Sequence, residues 1–134
     1  MTLREYFQKT SGIGVLATAD SSSTVDAAVY SIPYVFDDGT VGFIMRQRLT
    51  HHNLQSNNSA AYVFLENAPG YRGLRLFLKK VKEETDPSVV EPLMKRHLSP
   101  EEDRKKGPKY LVTFSVEKIL PIMGGGEATV TKVV

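Results

Sequence analysis

The feature that most constrains the fold is a series of six short β-type runs, each closed by turn residues. Residues 13–19 are apolar and lie between Ser11-Gly12 and Asp20-Ser21-Ser22-Ser23, as a buried strand would. Residues 25–36 read as a second, long strand. Pro33 cannot donate to its ladder, so the strand must lie at an edge or bulge there. Asp37-Asp38-Gly39 is a tight-turn signal, which makes residues 40–45 a third strand antiparallel to the second. Residues 60–65 read as the fourth. In the fifth, residues 71–84, Leu74, Leu76 and Leu78 alternate with Arg75, Phe77 and Lys79, so one face is wetter. In the sixth, Tyr110, Val112, Phe114 and Val116 alternate with Leu111, Thr113 and Ser115. Helical signals are few. Leu3, Tyr6 and Phe7 sit at helical spacing. Residues 50–57 suit a two-turn helix with Thr50 as its N-cap. Pro87 suits the first turn of a helix carrying Val90, Leu93 and Met94. Residues 99–108 are charged and read as a surface loop, and residues 128–134 suit a further β segment after the Gly124-Gly125-Gly126 tail. Six strands with few and short helices point to a mainly β, closed or nearly closed antiparallel barrel. Periodicity alone leaves a sandwich equally open.

The 134 residues imply a single domain over 1–134. Hydrophobic residues at 41% and charged residues at 24% are ordinary for a globular protein. A net charge of +2 is too small for a nucleic-acid partner. With no cysteine, disulfides, thiolate metal ligands and iron–sulfur clusters are excluded, which fits a cytoplasmic setting. Arg4 and Glu5 stand where a signal peptide needs an apolar run, and no apolar stretch approaches the ~20 residues of a membrane span.

The most informative stretch is Phe43-Ile44-Met45-Arg46-Gln47-Arg48-Leu49-Thr50-His51-His52-Asn53-Leu54. A strand there delivers two arginines and a threonine to the start of a helix. Free N–H groups and the helix dipole favour an anion at that point. Guanidinium forks match phosphate oxygens, and the Thr50 hydroxyl can bond the same group. No GxGxxG or Walker-type loop competes for a phosphate. Arg46 and Arg48 also read as ordinary solvated residues with Thr50 only a cap, and the residues alone leave both readings open.

The same stretch, continued through Asn57 and Ala60-Ala61-Tyr62-Val63-Phe64, resembles the FMN-binding split-barrel proteins of the pyridoxamine 5′-phosphate oxidase-like family. Gly14-Val15-Leu16-Ala17-Thr18-Ala19 is similar to that family's first strand, and Val25 to Pro33 to its second. The similarity spans about residues 5–120. It implies a six-stranded antiparallel split β-barrel and a homodimer with flavin at the subunit interface. It also implies FMN as cofactor, its phosphate held by Arg46, Arg48, Thr50 and His51. The isoalloxazine would lie along Ala28, Val29, Tyr30 and Ser31, largely on backbone. Relatives often place lysine beside the hydroxyl residue, whereas here the charge comes earlier, on Arg46 and Arg48. The substrate-phosphate residues of the oxidases have no counterpart in this chain. The resemblance therefore implies an FMN-dependent small-molecule oxidoreductase or, alternatively, a non-enzymatic FMN-binding or electron-carrier protein.

No acid–base residue stands out. His51 and His52 point about 100° apart on a helix and His97 belongs to another element, so no metal site is expected. Glu83-Glu84, Glu101-Glu102-Asp103 and the basic patch Lys79, Lys80 and Lys82 read as solvated surface. Tyr30, Tyr34 and Tyr71 could stack on a flavin but equally read as packing.

Overall fold

The computed structural model describes residues 1–95, 98–126, 128 and 130. His97 and most of the expected β segment over 128–134 lie outside the described residues. Helix α1 (Leu3–Lys9) opens the chain. Thr2 and Glu5 cap it reciprocally, and Leu3, Tyr6 and Phe7 bury its apolar side. Strands β1 (Gly12–Ala19), β2 (Val25–Val29), β3 (Tyr34–Val35) and β4 (Val41–Arg46) follow, then α2 (Leu49–Ser56). Next come β5 (Ser59–Glu66), β6 (Gly73–Glu84), α3 (Pro87–Val90), α4 (Pro100–Lys105) and β7 (Lys109–Pro121).

All pairings are antiparallel, in the order β2-β1-β5-β6-β7-β4-β3. The two outermost strands of that order are consecutive in sequence. The chain leaves one edge of the sheet at β2 and joins the opposite edge at β3, so residues 30–33 close the sheet into a barrel. The expected long second strand is thus two strands, making seven among the described residues rather than six. Pro33 lies at the break. The expected third strand pairs with β3, not with β2. β6 and β7 carry register shifts at Phe77/Leu78 and Lys80/Lys82, which let these long strands curve around the barrel.

The barrel interior is aromatic. Tyr62, Phe64, Phe43 and Phe114 are buried; Phe7 from α1 meets Tyr62 and Phe64, and Phe43 meets Tyr62 and Phe114, mostly edge to face. The Tyr62 hydroxyl reaches the carbonyl oxygens of Tyr30 (3.2 Å) and Ser31 (3.1 Å), which ties the strand break to the core. Burial raises the pKa of this phenol, keeping it a donor. A Cβ at Gly14 would stand 1.9 Å from the Tyr62 hydroxyl, so glycine is needed there for the tie.

Two further expectations change. Residues 99–108 contain helix α4, with Ser99 accepting from the Glu102 N–H and Pro100 in the first turn. In α2 the N-cap is Arg48, with no side-chain capping bond, while Thr50 lies inside the helix and is buried.

Candidate functional site

Three pieces of chain meet where β2 and β4 fail to pair. Tyr30 to Pro33 cross from one sheet edge to the other. Phe43–Arg46 pair with β7 on one side only. Helix α2 packs on β1, β2 and β4 and fills part of the gap. Its C-terminal half is anchored to the barrel. Leu54 is buried, and the Asn53 amide donates to the Thr18 hydroxyl at 3.1 Å. The Lys80 ammonium donates to the Leu54 carbonyl at 3.2 Å.

Beside α2 lies a cavity of about 440 Å³. Its walls include Tyr30, Ile32, Tyr34, Ile44, Leu93 and Met94, so it is largely apolar. Leu93 and Met94 belong to the β6–β7 connection, which arches over β4. Polar ties hold that connection down. The Tyr34 hydroxyl donates to the Leu93 carbonyl, and the Lys95 ammonium to the Ile32 carbonyl. The Lys95 ammonium also lies 5.1 Å from the Tyr34 ring centre. Lys109 pairs with Glu91 and, at 3.0 Å, with Asp103.

Four cations line the cavity: Arg46, Arg48, Lys95 and Lys106. Among the described residues no carboxylate does. The four are not equivalent. Arg46 binds Asp103 at 2.7 Å and donates to the Gly107 carbonyl at 2.7 Å, with its side chain only 13% exposed. Hydrogen bonds from Arg46 and then Lys109 hold the Asp103 carboxyl below its ordinary range. Arg46 is therefore committed to the β6–β7 connection. Arg48 is exposed and has no ion-pair partner among the described residues.

Arg48, Thr50 and Tyr30 form one cluster, joined by Asp26. The Thr50 hydroxyl donates to Asp26 at 3.4 Å. Burial raises the Tyr30 phenol pKa, a hydrogen bond with Thr50 lowers it, the Asp26 charge raises it and the Arg48 charge lowers it; the net shift is upward. Among the residues read from the sequence, Tyr30, Ser31, Arg46 and Arg48 line the cavity, and Thr50 touches it through Tyr30. Ala28, Val29 and His51 are not on its lining. Val29 is 75% exposed on the outer sheet face, and Ala28 pairs with Leu16 in the β1–β2 ladder. His51 is buried, stacks on Tyr110 with ring centres 3.9 Å apart, and places Nε2 3.1 Å from Glu83. Glu83 is not plain solvated surface. Burial would raise its pKa, but hydrogen bonds from Lys80, Gln55 and His51 bring it down to about 2. Asp103 and Lys80 are likewise engaged rather than merely solvated. Tyr71 is exposed and takes no part in the cavity. Sequence reasoning missed Lys95 and Lys106; the apolar pair Leu93-Met94 inside a charged connection was the available signal.

No protein-family model matches the chain, and no curated protein matches it. Solved structures do. An FMN-binding protein from Syntrophomonas wolfei subsp. wolfei superposes with a TM-score of 0.71 at 21% identity, over 90% of this chain and 84% of that one. An F420 reductase gives 0.64 at 17%, over 89% and 97%. A Clostridium acetobutylicum protein of the pyridoxinephosphate oxidase family, related to general stress protein 26, gives 0.61 at 13%, over 87% and 83%. The chain has the split β-barrel fold. The fold implied by the resemblance over about residues 5–120 is thus matched by backbone superpositions that cover 87% to 90% of this chain. The cavity is walled by the crossing residues 30–34, by β4 and by the β6–β7 connection.

Among the described residues no three His, Cys, Asp or Glu side chains are grouped to hold a metal ion, and no helix is long and apolar enough to cross a membrane.

Proposed function

We propose that the chain binds FMN in the cleft between β2 and β4 and acts as an FMN-dependent oxidoreductase on a small molecule. The observation that carries this reading is the meeting of an apolar cleft with Arg48, Thr50 and Tyr30 at the start of α2. The first-turn N–H groups of α2 have no side-chain cap, so an anion can take that place. Arg48 supplies an uncompensated guanidinium for a terminal monophosphate. Asp26 beside Thr50 sets a limit, because its carboxylate repels a dianion and leaves Arg48 as the principal attraction. The cavity walls and the single-sided edge of β4 suit a planar heterocycle. Those residues fit the cofactor, and FMN when bound would supply the redox chemistry.

The outer face of β2, β1 and β5 supports a homodimer. Ile13, Val25, Val29 and Leu65 are exposed on it, with Ile13 opposite Leu65 across β1–β5 and Val15 opposite Val29 across β1–β2. A contiguous apolar sheet face of this kind is where a second copy would pack.

Protein purified without added cofactor is expected to show oxidised-flavin absorption and, on heating, to release FMN rather than FAD. Colourless protein that takes up no FMN in a titration would overturn the reading. Light scattering is expected to return the dimer mass, and a monomer mass with FMN still bound would remove the subunit interface from the site.

A further inference from the structure

We infer that Glu83 positions the first turn of α2 through His51, and so sets the geometry of the flavin-phosphate site from behind. The inference rests on the reading above, which assigns that turn to the phosphate. Neither Glu83 nor His51 lines the cavity, so both are positioning residues that reach a ligand only through the helix.

A β-bulge builds the device. Residues three apart on a regular strand point to opposite faces. Lys80 and Glu83 do not, because the register shift between Lys80 and Lys82 inserts Val81. Lys80 stands opposite Phe114 and Glu83 opposite Val112, and both of those partners belong to the core. The two charged side chains therefore share the barrel face that meets α2, while Val81 is exposed. By the alternation of β7, Tyr110 shares that face too.

Glu83 is where this face meets the helix. Its carboxylate pairs with the Lys80 ammonium at 2.7 Å and accepts from the Gln55 amide. His51 Nε2 stands 3.1 Å from it. A carboxylate only accepts, so the imidazole is the donor. Lys80 and Gln55 serve the second half of the helix, since Lys80 also bonds the Leu54 carbonyl. His51 is the member in the first turn, next to Thr50. That turn has little else to hold it. Its N-cap offers no side-chain bond, and Thr50 reaches Asp26 only at 3.4 Å. The Tyr110 ring stacks on the imidazole and fixes its plane.

The test uses His51→Phe, which keeps a ring against Tyr110 and removes Nε2. The full-length variant is titrated with FMN and with riboflavin. FMN should weaken about two- to tenfold, the worth of one hydrogen bond, with riboflavin nearly unchanged. Glu83→Gln keeps an acceptor without its charge and should lose less. Added to His51→Phe, it should weaken FMN no further, since the tie is already gone. Amide hydrogen exchange reads the same turn without any ligand. The His52 N–H donates to the Arg48 carbonyl at 2.9 Å and closes the first turn, and the Asn57 N–H donates to the Asn53 carbonyl at 3.0 Å at the far end. His51→Phe should speed exchange at His52 and leave Asn57 unchanged. Unchanged exchange at His52 would overturn the inference. So would wild-type FMN affinity in folded His51→Phe, equal loss of FMN and riboflavin, or additive losses in the double variant. A wild type that takes up no FMN, with His52 exchange still quickened by His51→Phe, removes only the cofactor reading.

Discussion

The two arginines at the end of β4 stand two residues apart in sequence and belong to different kinds of region. Arg46 belongs to a chain of matched charges: Asp103 lies between Arg46 and Lys109, and Lys109 reaches on to Glu91. Around Arg48, Lys95 and Lys106 the described residues offer no carboxylate partner on the cavity lining. Matched charges pin the β6–β7 connection in place, and unmatched charges leave attraction over for a ligand. Charge near a cleft therefore signals binding only where it is uncompensated.

Breaking the matched region should cost stability. Arg46→Ala removes the pair with Asp103 and the bond to Gly107, and should destabilise the protein by about 1–3 kcal/mol. Thermal unfolding should then fall by roughly 4 °C per kcal/mol for a chain of this size. An unchanged Tm would show that the clasp contributes nothing. A second matched cluster, Glu83 with Lys80, Gln55 and His51, sharpens the point through pH. The Glu83 pKa is about 2 in the fold against an ordinary 4.5. Its stabilisation is therefore complete above about pH 4.5 and is lost as pH falls toward 2. Glu83→Gln should lower stability at neutral pH by about 1–2 kcal/mol and flatten the acid limb of the stability curve between those values. An acid limb of unchanged slope would mean that Glu83 is not the group responsible. The smallest effect belongs to Lys105, whose pair with Glu101 at 3.7 Å is solvent-exposed on both sides. Lys105→Ala should shift stability by less than about 0.5 kcal/mol in a denaturant titration, although it lies in the same connection as Asp103.

Much of the barrel was legible, because alternation in β6 and β7 and turn residues between strands are local signals. Pro33 marked the interruption of the long second strand. What it could not show is that the halves pair with opposite edges of the sheet, since that depends on closure through β1 and β4. Ser99-Pro100 with Glu102 carried a local helix-start signal for α4 that the surrounding charge obscured. The start of α2 was misplaced by two residues because Arg48 caps it without a side-chain bond, leaving Thr50 as the only recognisable cap. The separate fates of Arg46 and Arg48 were not legible at all. Asp103 lies 57 residues from Arg46 in sequence, and only the folded chain brings them together. Glu83 and His51, 32 residues apart, were hidden for the same reason.

In the proposed site Arg48, and not Arg46, receives the phosphate of the flavin. Titrating FMN and riboflavin into Arg48→Ala and Arg46→Ala tests it directly, because riboflavin lacks only the phosphate. Arg48→Ala should weaken FMN about 10- to 150-fold, the range of a charge-assisted bond, and leave riboflavin nearly unchanged. Arg46→Ala should affect both ligands alike through the loosened connection. Wild-type FMN affinity in folded Arg48→Ala, or equal loss of FMN and riboflavin in that variant, would contradict the account.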